Sequence, residues 1–457
     1  MTRIETYADA LRWLYARNQF SIKLGLEGPR RLLELLGNPE REGVYLHVAG
    51  TNGKGSVCAN LVALLASAGF RRIGLYTSPH LVSFRERIRV DGVPVPAAWV
   101  TEWMRKFLPL LEKHQEEISP TYFECVTAMA FAYFQAQNCE VVVLETGLGG
   151  RLDATNVVIP KMTAITSISF DHTAILGDTL EAIWGEKLGI VKPGIPLVVD
   201  EERPALAHLA EVKAQAANAP FFNLANRLAK SPAKSLDGFE LRGRYGTYPL
   251  PANLRSEPHQ TRNAALSLLA FEVFLGKALP PAETWLPPLR TARLPGRTQW
   301  LEGKQGKANK QGKDVLPVLL DGAHNPGGVE ALCRYLRMRG GGRPRFFFSV
   351  MRDKDFTAVY RQLRAVSGDI VYLDLTAAFP RALPFSELRA ALAPEEREGL
   401  REAVISWDAL APLLLPEERV DYAVVCGSLY LLGEIIPTLL PHYRGLEEFE
   451  KMLEQEK

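Results

Sequence analysis

His47-Val48-Ala49-Gly50-Thr51-Asn52-Gly53-Lys54-Gly55-Ser56 is the stretch whose reading decides the fold. The apolar run 44–48 predicts a buried strand, and 57–68 is apolar at helical spacing. Strand, glycine loop, lysine, hydroxyl and helix together describe a triphosphate cradle. Glycines let backbone N–H groups turn toward phosphate oxygens, Lys54 supplies a point charge, and Ser56 can face Mg²⁺. Two places depart from G-x-x-x-x-G-K-[ST]: Val48 holds the first glycine position, and Gly55 separates Lys54 from Ser56. The competing reading is a plain glycine-rich turn, against which the flanking strand and helix weigh. ATP is the expected ligand.

Working outward, strand-length apolar runs alternate with longer amphipathic segments. Strands are expected at 44–48, 73–76, 140–144, 164–167 and 197–199, and helices at 55–68, 98–117, 122–137, 180–188 and 205–216. This alternation implies a doubly wound, mostly parallel sheet, with the ligand outside the C-terminal strand ends. Over 226–251 the pattern weakens into short polar strands, and a helix is expected at 261–274. Pro280, Pro281, Pro287, Pro288 and Pro295 punctuate the stretch after that helix, and the domain boundary is placed near Gly296, giving units 1–295 and 296–457. The lysine-rich 303–313 segment has almost no apolar content and reads as a mobile surface loop, not a nucleic-acid patch. Beyond it lies a second alternating series, with strands at 316–320, 345–350, 369–375 and 422–426 and helices at 327–337, 356–366 and 429–440. It predicts a smaller, Rossmann-like α/β domain.

Composition sets limits on function. The chain has 457 residues, 47% hydrophobic and 23% charged, the balance of a soluble globular protein with two cores. A net charge of +2 gives no electrostatic reason to expect nucleic acid or membrane as partner. No apolar run approaches the ~20 residues needed to span a bilayer, and 1–10 does not read as a signal peptide. Five scattered cysteines, never in a C-x-x-C pair, argue against a disulfide framework or zinc site and for a cytoplasmic location.

Four further segments join the phosphate loop: Thr77-Ser78-Pro79-His80-Leu81, the run from Glu145 through Arg151 to Asn156, Asp171-His172-Thr173, and Glu186-Lys187-Leu188-Gly189-Ile190. Singly, Glu145 reads as a strand-end acid, His172 as a hydrogen-bonded loop histidine and Lys187 as a solvated helix lysine. Together they answer what an ATP site needs, since Mg²⁺ takes hard oxygen ligands close to the phosphates. A carboxylate ending a neighbouring parallel strand is where phosphate-loop enzymes place their second acid.

HVAGTNGKGS, TSPHL, LETGLGGRLDATN, SFDHT, EKLGIVKPG, LPGR and DGAHNP occur here in one order. In that order the sequence resembles the folylpolyglutamate synthase / dihydrofolate synthase family, within the Mur ligase superfamily of ATP-dependent amide-forming enzymes. The likeness runs from the 23–27 segment to the 426–429 segment, and this family's loop carries the extra Gly55. Leu188, where many relatives have alanine, and the 303–313 loop are departures.

The resemblance implies roles. Gly50, Thr51, Asn52, Gly53, Lys54, Gly55 and Ser56 would hold the triphosphate, with Asn263, Arg297, Asp321 and His324 as further ATP contacts. One Mg²⁺ would be held by Ser78 and Glu145, with Ser56 as helper, and a second by His172. Lys187 matches the position carboxylated by CO₂ to a carbamate, which requires a neutral amine and so a depressed pKa. Thr121, Tyr122, Phe123, Glu124, Leu152, Asp153 and Ala154 match segments contacting the pterin-bearing substrate. The implied reaction joins L-glutamate to a folate or to dihydropteroate through an acyl phosphate, with Lys54, Glu145, His172 and Lys187 at the chemistry. Rival readings are another Mur-superfamily amide ligase, and a phosphate-loop ATPase or kinase that forms no amide. A monomer is expected, since no coiled coil or large apolar stripe is evident.

Overall fold

The computed structural model describes residues 3–17, 25–230, 238–252, 254–255, 257–304, 315–340, 342–417 and 419–456. Lys23 and Leu24 of the 23–27 segment, and the 303–313 loop beyond Lys304, lie outside the described residues.

Runs such as Val141-Val142-Val143-Leu144 cannot present either face to water, so they become central strands covered on both sides. The first sheet holds β1 (Tyr45–Ala49), β2 (Ile73–Tyr76), β3 (Ile88–Val90), β4 (Val93–Pro94), β5 (Val141–Glu145), β6 (Met162–Ile165), β7 (Leu197–Val199) and β8 (Phe221–Asn223). Their order among the described residues is β4-β3-β2-β5-β1-β6-β7-β8. From β2 to β8 neighbours run parallel, with Val48 of β1 level with Glu145 of β5 on one side and Ala164 of β6 on the other. That register brings Gly50, Ser78, Thr146 and Thr166 to one edge.

The hairpin β3–β4 is additional to the expected strands. It reverses at Asp91 and Gly92, both at positive φ, the Asp-Gly turn a tight hairpin uses. Helices Lys54–Ser67 and Pro258–Leu275 cover one face of the sheet, and Ala97–Lys113 and Tyr122–Ala136 the other. The polar stretch after Asn226 forms the antiparallel β9 (Leu228–Lys230), β10 (Gly238–Arg242) and β11 (Thr247–Pro251).

One expectation is corrected. Pro287 and Pro288 do not break the chain, because a helix runs through them from Ala282 to Thr291. Two prolines cost two backbone donors. Burial of Trp285 and Leu289 in the core shared with helix Lys54–Ser67 outweighs that loss, helped by Trp285 Nε1 donating to Pro280 O at 3.1 Å.

The second sheet comprises β12 (Gln299–Gly303), β13 (Val318–Leu320), β14 (Pro344–Phe348), β15 (Ile370–Leu373), β16 (Leu400–Ala403), β17 (Tyr422–Cys426) and β18 (Tyr443–Arg444), ordered β16-β15-β14-β17-β13-β12-β18. Its five strands from β16 to β13 are parallel, while β12 runs antiparallel to β13 and β18 antiparallel to β12. The molecule is therefore two α/β domains with mostly parallel sheets. Asp321 follows β13 and Gly427 follows β17, so the C-terminal strand edges of both sheets line one cleft.

Candidate active site

Backbone geometry builds the phosphate loop. Gly50 sits at φ 145°, where a Cβ would fall 1.7 Å from Thr166 Oγ1, so only glycine fits. Thr51 N–H donates to Ser167 O at 3.1 Å, and Thr166 Oγ1 donates to Asn52 O at 2.7 Å, pinning the loop to the end of β6. The helix begins at Lys54, which leaves the N–H groups of its first turn without intrahelical acceptors and free to bind an anion.

Two lysines converge on one carbonyl. Lys54 Nζ donates to Gly50 O and Thr51 O at 3.1 and 3.2 Å, and Lys187 Nζ donates to Gly50 O at 2.9 Å. Lys187 is only 3% exposed. Burial, then the neighbouring Lys54 charge, push its pKa down to about 7. Burial raises the Glu145 carboxyl against the pull of Lys54 and the Ser78 N–H, which reaches Glu145 Oε2 at 3.1 Å.

A cavity of about 430 Å³ gathers every residue expected to meet nucleotide or metal: the loop from Gly50 to Ser56, then Ser78, Glu145, His172, Lys187, Asn263, Arg297, Asp321 and His324. Asn263 lies against Gly53, at positive φ, whose Cβ would sit 2.6 Å from its Oδ1. Arg297 lies over Gly322, where a Cβ would meet its Nη1 at 2.7 Å. Asp321 is fixed by backbone donors, taking Thr298 N–H at 2.9 Å and Ala323 N–H at 2.8 Å. His259 and the Arg262–Asp200 pair, also in the lining, carry no motif that sequence reasoning could pick out.

No cluster of three or more His, Cys, Asp or Glu side chains placed to hold a metal occurs among the described residues. The donors that line the cavity still suit a hard cation. Glu145 is a buried carboxylate beside Ser78, and Ser56 lies in the same lining. A divalent ion there would complete its shell with phosphate oxygens.

A second cavity, about 270 Å³, is walled on one side by Thr121, Tyr122, Phe123, Glu124, Leu152, Asp153 and Ala154. Met351, Asp353, Lys354, Arg381 and Tyr430 of the second domain form the other wall. Several first-domain residues also hold their own backbone. Glu124 Oε2 accepts Thr121 N–H at 2.6 Å while Thr121 Oγ1 accepts Glu124 N–H at 3.3 Å, a capping box starting helix Tyr122–Ala136. Asp153 accepts N–H groups from Leu148 at 2.8 Å and Thr155 at 3.0 Å. Phe123 packs on Gly147, whose Cβ would lie 2.4 Å from the ring. Arg87, 4% exposed, lies with its guanidinium 5.4 Å from the Tyr122 ring centre, its Nε donating to His80 Nδ1 at 2.7 Å.

The cavities share Ser78, Pro79, Gly147, Leu148, His172, His324 and Leu429. Here Asp171, its side chain 8% exposed, takes Lys354 Nζ at 2.6 Å, and Lys354 also lies 3.1 Å from His172 Nε2. Burial would raise the Asp171 carboxyl, but the His324 hydrogen bond and charge, with Lys354 and His172, hold it well below the usual range. Burial, with Lys354 adding to it, pushes His172 down to about 4. Its imidazole is thus neutral near pH 7, with a lone pair available. Arg87, Asp171 and Lys354 are charges of the site to which sequence reasoning gives no role, and the charged run Arg352-Asp353-Lys354-Asp355 straight after a strand was the available signal for the last.

No family model matches the chain. It is 34% identical over 444 residues to the dihydrofolate synthase/folylpolyglutamate synthase of Bacillus subtilis, covering 94% of this chain and 98% of the relative. Among solved structures it is similar to the bifunctional enzyme of Yersinia pestis complexed with AMPPNP and Mn ion (TM-score 0.79, 30% identity, 95% and 98% coverage). It is also similar to a folylpolyglutamate synthase complex with AMPPCP and folate (TM-score 0.76, 27% identity, 95% and 100% coverage). On this likeness along nearly its whole length, the chain belongs to the folylpolyglutamate synthase / dihydrofolate synthase family.

Proposed function

We propose that this protein is an ATP-dependent ligase that joins L-glutamate to folates, and also to 7,8-dihydropteroate. The observation that carries the reading is the meeting of a triphosphate-type cavity and a substrate cavity at Ser78, His172 and His324. A carboxylate is a poor electrophile, so its oxygen first attacks the γ-phosphorus of ATP. The bond to ADP breaks and an acyl phosphate forms. The glutamate amine then attacks the acyl carbon, an amine proton is lost, and phosphate leaves as the amide forms. The loop N–H groups and Lys54 hold the triphosphate, while Asn263, Arg297, Asp321 and His324 orient the rest of the nucleotide.

A divalent cation such as Mg²⁺, at Ser78 and Glu145 beside Ser56, and a second at His172 and a carbamylated Lys187, would offset charge on the transferring phosphoryl group. The pKa of about 7 supports the carbamate, because a neutral amine is needed to add CO₂. Lys354 is the chain's own cation where the oxyanion on the acyl carbon develops. Phe123, with Thr121, Tyr122, Glu124, Leu152, Asp153 and Ala154, walls the pterin end. Residues 1–295 and 296–457 act as two bodies that close around the acyl phosphate and exclude water. The working unit is a cytoplasmic monomer.

The test is ADP release with ATP, Mg²⁺ and L-glutamate, comparing 7,8-dihydropteroate with tetrahydrofolate, with mass spectrometry of the products. Glutamylation of both acceptors is expected. Product from tetrahydrofolate alone would remove the dihydropteroate activity. ADP release with no glutamate added would overturn the ligase reading and restore a simple ATPase.

A further inference from the structure

One residue of the second domain is bonded to the phosphate loop itself. Asn325 is 1% exposed and opens helix Pro326–Met338, its Oδ1 accepting Gly328 N–H at 2.9 Å as an N-cap. Its amide also forms a reciprocal pair with Asn52 of the loop. Asn52 Nδ2 donates to Asn325 Oδ1 at 3.1 Å, and Asn325 Nδ2 donates to Asn52 Oδ1 at 3.1 Å. The remaining Asn325 hydrogen goes to Asp171 Oδ2 at 2.9 Å, beside His172. Two donated and two accepted bonds fill the amide's capacity, so its orientation is fixed: flipped, it would set an N–H against the Gly328 N–H.

The close approach extends to the flanking glycines. A Cβ on Gly327 would lie 2.9 Å from Ser169 Cβ, and one on Gly328 would lie 3.5 Å from Asn52 Oδ1. The Asp171 carboxylate takes the Lys354 ammonium on its other oxygen, and His324 Nε2 lies 3.5 Å from the shared one. Three second-domain side chains thus surround a first-domain carboxylate, and only Asn325 also reaches the loop that would hold phosphate.

We propose that Asn325 is a positioning residue, a latch whose amide pair with Asn52 makes domain closure and the set of the phosphate loop one event. This rests on the ligase reading for its purpose, which is to seal the cleft while an acyl phosphate exists. Aspartate at the same position would still cap the helix. It would lose both donated bonds and face Asp171 with like charge.

The experiment is Asn325→Asp in the full chain, with Asn325→Ser as a second capping variant should the first fail to fold. Small-angle scattering is recorded with and without a non-hydrolysable ATP analogue, and phosphate release is counted against glutamate joined. The variant is expected to stay more expanded than wild type with the analogue bound. Its glutamylation rate should fall on the order of a hundredfold, as loss of one neutral hydrogen bond and one to a carboxylate implies, while phosphate release exceeds product. A merely structural defect would lower both products together. Scattering and a phosphate-to-product ratio equal to wild type would overturn the latch. If wild type itself forms no glutamylated product, the ligase reading fails, and the scattering comparison still decides the latch.

Discussion

The cavity proposed for nucleotide and the cavity proposed for substrate touch at Ser78 and His172 but are built on different plans. The first centres on one unbroken segment, Gly50 to Ser56, whose N–H groups, glycines and lysine are adjacent in the chain. The second has no such centre. Its walls come from 121–124, 147–154 and, across the cleft, 351–354, 381 and 427–430. A phosphate needs backbone donors and charge, which a short loop supplies; a flat conjugated ligand needs walls, which only packed elements supply. Substitutions should therefore separate the two functions.

Lys54→Ala should show the largest effect. It removes the point charge proposed for the outer phosphates, and kcat should fall about 10²–10³-fold, the cost of one preorganised electrostatic contact. Folate affinity measured by fluorescence titration should stay at the wild-type value, because Lys54 is not in the substrate lining. A parallel fall in folate affinity would mean the two cavities are one site.

Phe123→Ala is the complementary change. The ring packs on Gly147 and lines only the substrate cavity. KM for the folate should rise about tenfold, the low end of what a lost hydrophobic contact costs in discrimination. ADP affinity by calorimetry should not move, and if it did, the separation would be lost.

Lys187 tests the nucleotide side by pH. Its folded pKa is about 7 against an ordinary 10.5, so the neutral amine that CO₂ requires grows as pH rises through 7. Labelling with ¹³CO₂ and observing the carbamate carbon by NMR should give half-maximal incorporation near pH 7, falling below it. The unfolded chain holds this proton up to 10.5, so it binds more protons than the folded chain between those values. Lys187's contribution to stability accordingly rises with pH across that window. Incorporation independent of pH from 6 to 9 would break the carbamate assignment.

The difference in plan also explains what was legible in the sequence. The phosphate loop could be read because its function is local, and the parallel strands because they are apolar throughout. Strands β3 and β4, three and two residues long, are too short for alternation to register. Helix Ala282–Thr291 was hidden by Pro287 and Pro288, where local rules forbid what burial of Trp285 enforces. Lys354 was invisible for another reason. Its partner Asp171 lies 183 residues away, and the charged run around Lys354, the one local signal, reads as a solvated turn and does not say that the ammonium is buried. Thr121-x-x-Glu124 carries two meanings, a family substrate contact and a helix start, and the family resemblance speaks only for the first.

That double meaning yields the smallest of these effects and sharpens the comparison most. If Thr121 serves the cavity by fixing the start of helix Tyr122–Ala136, the hydroxyl's bond to Glu124 N–H is what matters, and serine can replace it. Thr121→Ala should then cost about 1 kcal/mol of stability, the usual loss for an N-cap. The melting temperature would drop, KM for the folate would rise slightly through loosening of Phe123 two residues on, and Thr121→Ser would be close to wild type in both. A direct contact through the threonine methyl predicts the reverse. Serine would raise KM with no change in stability, because the cap survives while the apolar contact is lost. In the nucleotide cavity no such swap is available at Gly50, where any Cβ meets Thr166, so its tolerance is set by backbone approach. Near-silent serine at 121 beside an intolerant 50 would show that one cavity is held by its loop and the other by the elements that wall it.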